Sequence, residues 1–188
     1  MAGYADFAGG SRHAFLYDGA TMHDLGTLGG TYSVALGINA SGQAAGESYT
    51  AGNAPLHAFL YDGTQLNDQG TLGGTESYAY AINAAGQVAG IADTPHAGSH
   101  AFLSDGTTMR DLGTLGGAYA ASVALGLNYS GQVVGYASIP GTFNERAFYY
   151  DGAGMRDLND LIPPQLRLVS RIRRRHQRSR PDRRLRPD

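Results

Sequence analysis

The sequence predicts an all-β chain of tandem four-stranded antiparallel units, and three observations predict it. The first is repetition. The segment His13-Ala14-Phe15-Leu16-Tyr17-Asp18-Gly19 returns at 57–63, at 100–106 with Ser104 in place of the tyrosine, and at 146–152 with Arg146 in place of the histidine, so the spacings are 44, 43 and 46 residues. Two further blocks keep the same order: Leu25 to Gly30 recurs at 69–74 and 112–117, and Gly37 to Gln43 recurs at 81–87 and 126–132. A fixed period of this length means units that stack to bury their faces. The second observation is composition: 28 Gly and 12 Tyr, with Val, Ile and Thr between glycine turns, favour short strands over helices. The third is turn chemistry at constant offsets within each unit.

In the first unit the strands fall at 13–17, 21–25, 33–39 and 43–49, and Gly3-Tyr4-Ala5-Asp6 matches the fourth strand of a preceding unit. Asp18-Gly19 predicts a two-residue hairpin loop, because both residues tolerate positive φ. Asn39-x-x-Gly42 predicts a type I turn with the glycine left-handed at its end. Four up-and-down strands every 40 to 50 residues match one blade of a β-propeller. The strands are apolar on both sides, with Ala14 and Leu16 on one face of the first strand and Phe15 and Tyr17 on the other. Two covered faces suit stacked blades and also the layers of a β-solenoid, the alternative; solenoid coils are usually shorter, which favours the propeller-like reading. The chain divides into a repeat domain at 1–164 (leading strand 1–12, units 13–56, 57–99 and 100–145, half unit 146–164) and a tail at 165–188. So few units make an incomplete, open array, whose edge strands are expected to pair with another copy, to aggregate, or to mark a fragment of a longer protein.

Composition excludes several classes. There is no cysteine, hence no disulfide framework and no thiolate metal site. Residues 1–15 lack a basic start and an apolar run, and no stretch approaches a membrane span, so neither an export signal nor a span is expected. The net charge of −2 conceals two halves. Residues 1–166 hold four arginines against fourteen acids, a charge of −10, and residues 167–188 hold ten arginines against two acids, +8.

That basic tail has three readings: an arm neutralising nucleic-acid phosphates, a solvated disordered segment, or a frame-shifted end of the fourth unit. We favour the third. Arginine codons of the CGN type, read one nucleotide later, begin with G, and the shift permits Ile-Asn-Ala-Ala-Gly-Gln-Ile-Val-Gly-Tyr over 176–185, in the register of 82–90. The gene's nucleotide sequence decides this.

The HAFLYDG, DLGTLGG and INASGQ blocks resemble the HAF repeat, a family of extracellular repeat proteins, over residues 3 to about 162. The resemblance implies an extracellular or cell-surface location and brings no catalytic residues.

Candidate site residues follow from which positions repeat. A two-residue hairpin loop would place His13 opposite Asp24, His57 opposite Asp68, His100 opposite Asp111 and Arg146 opposite Asp157. Repetition in every unit argues for structural cross-strand pairs; a metal site would need more ligands, and Arg146 cannot ligate. Gly-Thr-Leu-Gly-Gly is read as a tight connection rather than a phosphate cradle, since the chain has no lysine. The unrepeated acids Asp6, Glu47, Glu76, Asp93, Glu145 and Asp160 show no spacing that singles out a catalytic pair. Binding residues are expected where units differ, in the links between them: Phe7, Arg12, Tyr49, Asn53, His96, Phe143, Asn144 and Glu145. The expected function is therefore non-enzymatic, structural or binding, without cofactor or metal, with a glycan or a protein surface as partner; the alternatives are a propeller enzyme acting on polysaccharide and a nucleic-acid binder acting through the tail.

Overall fold

A computed structural model describes residues 1–96, 98–116, 120–139 and 144–163. Strands account for 55% of the described residues and helix for 3%, so the all-β expectation holds. The strands are β1 (Ala2–Asp6), β2 (Arg12–Tyr17), β3 (Met22–Gly26), β4 (Gly29–Ile38), β5 (Ala44–Thr50), β6 (Leu56–Tyr61), β7 (Leu66–Asp68), β8 (Ser77–Ile82), β9 (Val88–Asp93), β10 (Ser99–Ser104), β11 (Met109–Asp111), β12 (Ser122–Leu127), β13 (Val133–Ser138), β14 (Glu145–Tyr150) and β15 (Met155–Asp157), followed by a short 3-10 helix, Leu158–Leu161.

Each antiparallel sheet is a meander in chain order. The first is β1-β2-β3, the second β4-β5-β6-β7, the third β8-β9-β10-β11 and the fourth β12-β13-β14-β15, and none closes on itself. A parallel bridge between β2 and β4, Arg12 to Tyr32, joins the first two into one seven-stranded sheet. A sheet is thus offset by half a sequence unit: the last two strands of one unit pair with the first two of the next. The turns decide this. Asn39-x-x-Gly42 joins β4 to β5 tightly, with Gly42 at φ +78°, whereas the Gly-Thr-Leu-Gly-Gly link carries the chain from the last strand of one sheet to the first of the next.

Alternation along the strands sorts side chains onto two faces. In β6, Ala58 and Leu60 pack with Ala79, Val88 and Phe102 of the third sheet, while Phe59 packs with Ala14 of the first. We call these the trailing and leading faces. The third sheet repeats the arrangement, with Ala89 and Ala101 on its trailing face against Val133 and Phe148 of the fourth. Phe59, Phe102 and Phe148 are fully buried.

A β-bulge recurs in the first strand of the second, third and fourth sheets, with Leu36, Tyr80 and Leu125 as the extra residues. Opposite each stands a glycine, and a Cβ on Gly46, Gly90 or Gly135 would lie 1.9 Å from the carbonyl oxygen of Val34, Tyr78 or Val123.

Two repeated polar devices tie sheets together. Ser33, Ser77 and Ser122 are fully buried. Their hydroxyls accept from the N–H of Ala14, Ala58 and Ala101 at 2.8 Å and donate to the carbonyls of Gly26, Gly70 and Gly113 at 2.5–2.6 Å, all on the preceding sheet. In the turns, Asn39 Nδ2 donates to the carbonyl of Asn83 at 3.0 Å, and Asn83 Nδ2 to that of Asn128 at 2.8 Å. The same asparagines bind their own turns through Oδ1, so one side chain both shapes the turn and fixes the next sheet.

The Asp-Gly hairpins differ from expectation. Each loop has four residues rather than two: Asp18 Oδ1 accepts from the N–H of both Ala20 and Thr21 at 2.8 Å, and only Gly19 has positive φ. Asp62 and Asp105 do the same. The aspartate side chain captures the amides that a two-residue turn would leave to the backbone, and the strand register shifts by two residues as a result.

Candidate functional site

Because of that shift the aspartates stand directly opposite phenylalanines, Phe15 to Asp24 and likewise Phe59 to Asp68, Phe102 to Asp111 and Phe148 to Asp157. The pairs named from the sequence meet diagonally instead. Nδ1 of His13, His57 and His100 lies 2.9 Å from a carboxylate oxygen of Asp24, Asp68 and Asp111, and Arg146 Nη1 lies 2.7 Å from Asp157 Oδ2. A carboxylate only accepts, so Nδ1 carries the hydrogen. Burial opposes ionisation of Asp157, but hydrogen bonds from Arg146 and Asn159 outweigh it and hold its carboxyl below the usual range. Asp24, Asp68 and Asp111 also accept from the amide two residues on, at 2.7–2.8 Å, which closes the end of the outermost strand. Replacing Asp68 by alanine removes two hydrogen bonds and should cost about 1–2 kcal/mol, a fall in melting temperature of about 3–6 °C by circular dichroism. An unchanged melt together with lost zinc binding would make this a metal site instead. Among the described residues no three His, Asp or Glu side chains gather in a metal-binding group.

The residues named in the inter-unit links take different roles. Phe7 packs against His13 with the rings tilted, 4.7 Å between centroids. Arg12 pairs with Asp6 at 2.7 Å and lies 4.2 Å from the Tyr4 ring and 5.9 Å from that of Tyr32. Tyr49 packs on Tyr32 at 5.4 Å. Asn53 accepts from the N–H and hydroxyl of Thr31, tying its loop to β4. His96 is exposed at a loop tip, and Glu145 is exposed at the start of β14. The carbonyl of Asn144 accepts from the N–H of Ile139. Phe143 lies outside the described residues, as do residues 164–188, so the readings of the tail rest on sequence alone.

The structure gathers a second set, mostly missed in the sequence, on the first two strands of successive sheets. Tyr32 donates to Glu47 Oε1 at 3.0 Å, and Tyr78 donates to Glu76 Oε2 at 2.5 Å. Burial pushes the Glu47 carboxyl above its ordinary value, the Tyr32 hydrogen bond opposes this, and the charge of Glu76 adds to it. Burial likewise raises the hydroxyls of Tyr32, Tyr78 and Tyr80; Glu47 adds to the shift at Tyr32 and Tyr80, and Glu76 at Tyr78. Tyr80 is the bulged residue of β8 and senses Tyr136 as well as Glu47. Asp93 accepts from the Ser99 hydroxyl at 2.7 Å and from the Glu76 amide at 3.2 Å. Three of the unrepeated acids, Glu47, Glu76 and Asp93, are thus neighbours of one group of tyrosines.

A signal for this set was present in the sequence, in the differences between copies. Where the second sheet has Val34 and Leu36 and the fourth has Val123 and Leu125, the third has Tyr78 and Tyr80. Where the third has Ile91 in its second strand, the second has Glu47. Tyrosine and glutamate replace aliphatics, of which Val34 and Val123 are buried and Leu36 and Leu125 exposed, and this exchange marks the surface as specialised.

A cleft of about 600 Å³ lies near Arg146, Met155, Arg156 and Asp160. Both arginines are already ion-paired, Arg146 with Asp157 and Arg156 with Asp151 at 3.0 Å. No family model, no curated protein and no solved structure matches the chain. Among the described residues no helix is long and apolar enough to cross a membrane.

Proposed function

We propose that the chain is a non-enzymatic run of β-propeller-like blades that binds glycan through the tyrosine and carboxylate surface of its second and third sheets. The blade reading is supported by four-stranded meanders stacked face on face. An extracellular or cell-surface setting is part of the proposal and is supported by the HAFLYDG-type blocks. The observation that carries the binding reading is that Tyr78 and Tyr80 stand where the neighbouring sheets hold Val and Leu and Glu47 where the third holds Ile91, beside Tyr32 and Glu76, which share a repeat position held by Ala121 in the fourth sheet. Tyrosine rings offer flat apolar faces to sugar C–H groups, and carboxylates accept from sugar hydroxyls.

A glycan array probed with the full chain tests this, followed by calorimetry on a variant that reverts the surface to residues the repeat itself uses: Glu47→Ile, Glu76→Ala, Tyr78→Val and Tyr80→Leu. These replacements suit the same backbone positions in neighbouring copies, so the fold should persist. The expected result is a glycan hit whose affinity falls tenfold or more in the reverted protein, equivalent to about 1.4 kcal/mol. Equal binding by the two proteins, or no hit at all, refutes the assignment.

A second reading, hydrolysis of a polysaccharide, is favoured by one observation: the raised carboxyl of Glu47 stands beside the charge of Glu76, the kind of environment that keeps an acid protonated. Release of reducing ends from the array hit, abolished by Glu47→Gln, would establish it. Nucleic-acid binding through 165–188 would instead show a steep loss of affinity with salt.

A further inference from the structure

The inter-sheet contact is made the same way three times, and its two halves are left uncovered at opposite ends of the described stack. On the leading faces of the second, third and fourth sheets, Ala44, Val88 and Val133 are fully buried. Their repeat equivalent on the first sheet is Met1, which is 74% exposed. Leu66, Met109 and Met155 pack into the three core clusters, whereas their equivalent Met22 is 57% exposed. Tyr17 and Phe15 sit between these methionines, at the positions of Tyr61 and of the buried Phe59.

The trailing faces show the complementary pattern. Ala14, Ala58 and Ala101 are fully buried under the following sheet, but their equivalent Ala147 is exposed. Ala45 and Ala89 are fully buried, but their equivalent Val134 is 46% exposed. One end therefore presents the bulky half of the contact; the other keeps the small residue at Ala147 and carries Val134 and Tyr149 where the inner sheets have alanine and leucine.

We propose that the trailing face of the fourth sheet in one copy stacks on the leading face of the first sheet in a second copy, continuing the internal stack from molecule to molecule. The chain already makes this contact between successive sheets: Met1, Phe15 and Met22 of the second copy take the places that Val133, Phe148 and Met155 take against the third sheet. The contact is heterologous, since different surfaces meet, so association is open-ended unless the rotation closes a ring. The first sheet has three strands, so the contact between copies is smaller than the internal one and depends on concentration. Pairing through β-strand edges, expected from the sequence, is a different contact, because it runs through backbone hydrogen bonds at the rim rather than through side chains of the faces.

The test is sedimentation velocity on the full chain from about 1 to 500 µM, with two singly blocked variants: Val134→Glu with Ala147→Glu on the trailing face, and Tyr17→Glu with Met22→Glu on the leading face. All four positions are solvent-accessible, and circular dichroism checks that each variant keeps its strands. The wild type should form oligomers that grow with concentration, and each variant alone should remain monomeric to at least tenfold higher concentration. A mixture of the two should form 1:1 dimers and stop there, because each partner keeps one intact face. A wild type that stays monomeric throughout, whether because residues 164–188 cover the face or for any other reason, overturns the proposal. So does assembly that survives in either variant alone, the mark of edge pairing or of a symmetric contact, and so does a mixture that stays monomeric.

Discussion

Replacing Gly90 by alanine should unfold the third sheet and bring the stack down with it, with a loss of about 3 kcal/mol or more and a drop in melting temperature of about 10 °C. The cause is backbone against backbone. The added Cβ would sit 1.9 Å from the Tyr78 carbonyl and 2.9 Å from the Ala79 Cα, and neither is the end of a side chain that can swing away. Relief requires β8 and β9 to separate at the bulge, which breaks the ladder in the middle of the sheet. Gly154→Ala is the control, since nothing lies within 4 Å of a Cβ there; it should change the melt by no more than about 0.5 kcal/mol. Equal melts for the two variants would show that the bulge geometry is misplaced.

The second large effect should come from Phe102→Ala, at about 3–5 kcal/mol, because a fully buried ring between two sheets leaves a cavity that rigid β-structure fills poorly. The informative comparison is Phe15→Ala. Phe15 occupies the same place in the repeat, but no sheet covers its face, and its exposure is intermediate. Its loss should cost less than half as much. Chemical denaturation at a concentration where the chain is monomeric measures both. Similar costs would mean that stacking between sheets contributes little to the burial of these rings.

The repeat blocks make most of the architecture legible in the sequence. Strand positions followed from turn residues, and the two-faced apolar pattern of His57 to Tyr61 anticipated that Leu60 and Phe59 would point to opposite neighbours. Pairing register was not legible. Asp-Gly suggests a two-residue loop whenever the aspartate acts through its backbone, and here it acts through Oδ1, which lengthens the loop and moves Asp24 from a place opposite His13 to one opposite Phe15. The His13 to Asp24 contact is made despite this because histidine is long enough to reach diagonally. The offset between unit and sheet was hidden as well: the sequence shows where a pattern recurs but not where hydrogen bonding pauses. Ser33, Ser77 and Ser122 were readable as an invariant column, yet an isolated serine in a strand gives no hint that it is buried and bonded to the sheet before it. The Tyr78 and Glu76 surface is hidden for a related reason, because its residues lie where the copies differ and no repeated pattern marks them.

The half-unit offset of the sheets bears on how the gene can change length. Since every four-stranded sheet draws two strands from each of two successive periods, an unequal crossover anywhere within the repeat excises or inserts one whole period in phase. Every interior sheet is then restored with four strands, and the Asn39, Asn83 and Asn128 row is restored at the same spacing. Array length is free to drift while the fold stays constant, whereas a deletion of any other size cuts through a sheet.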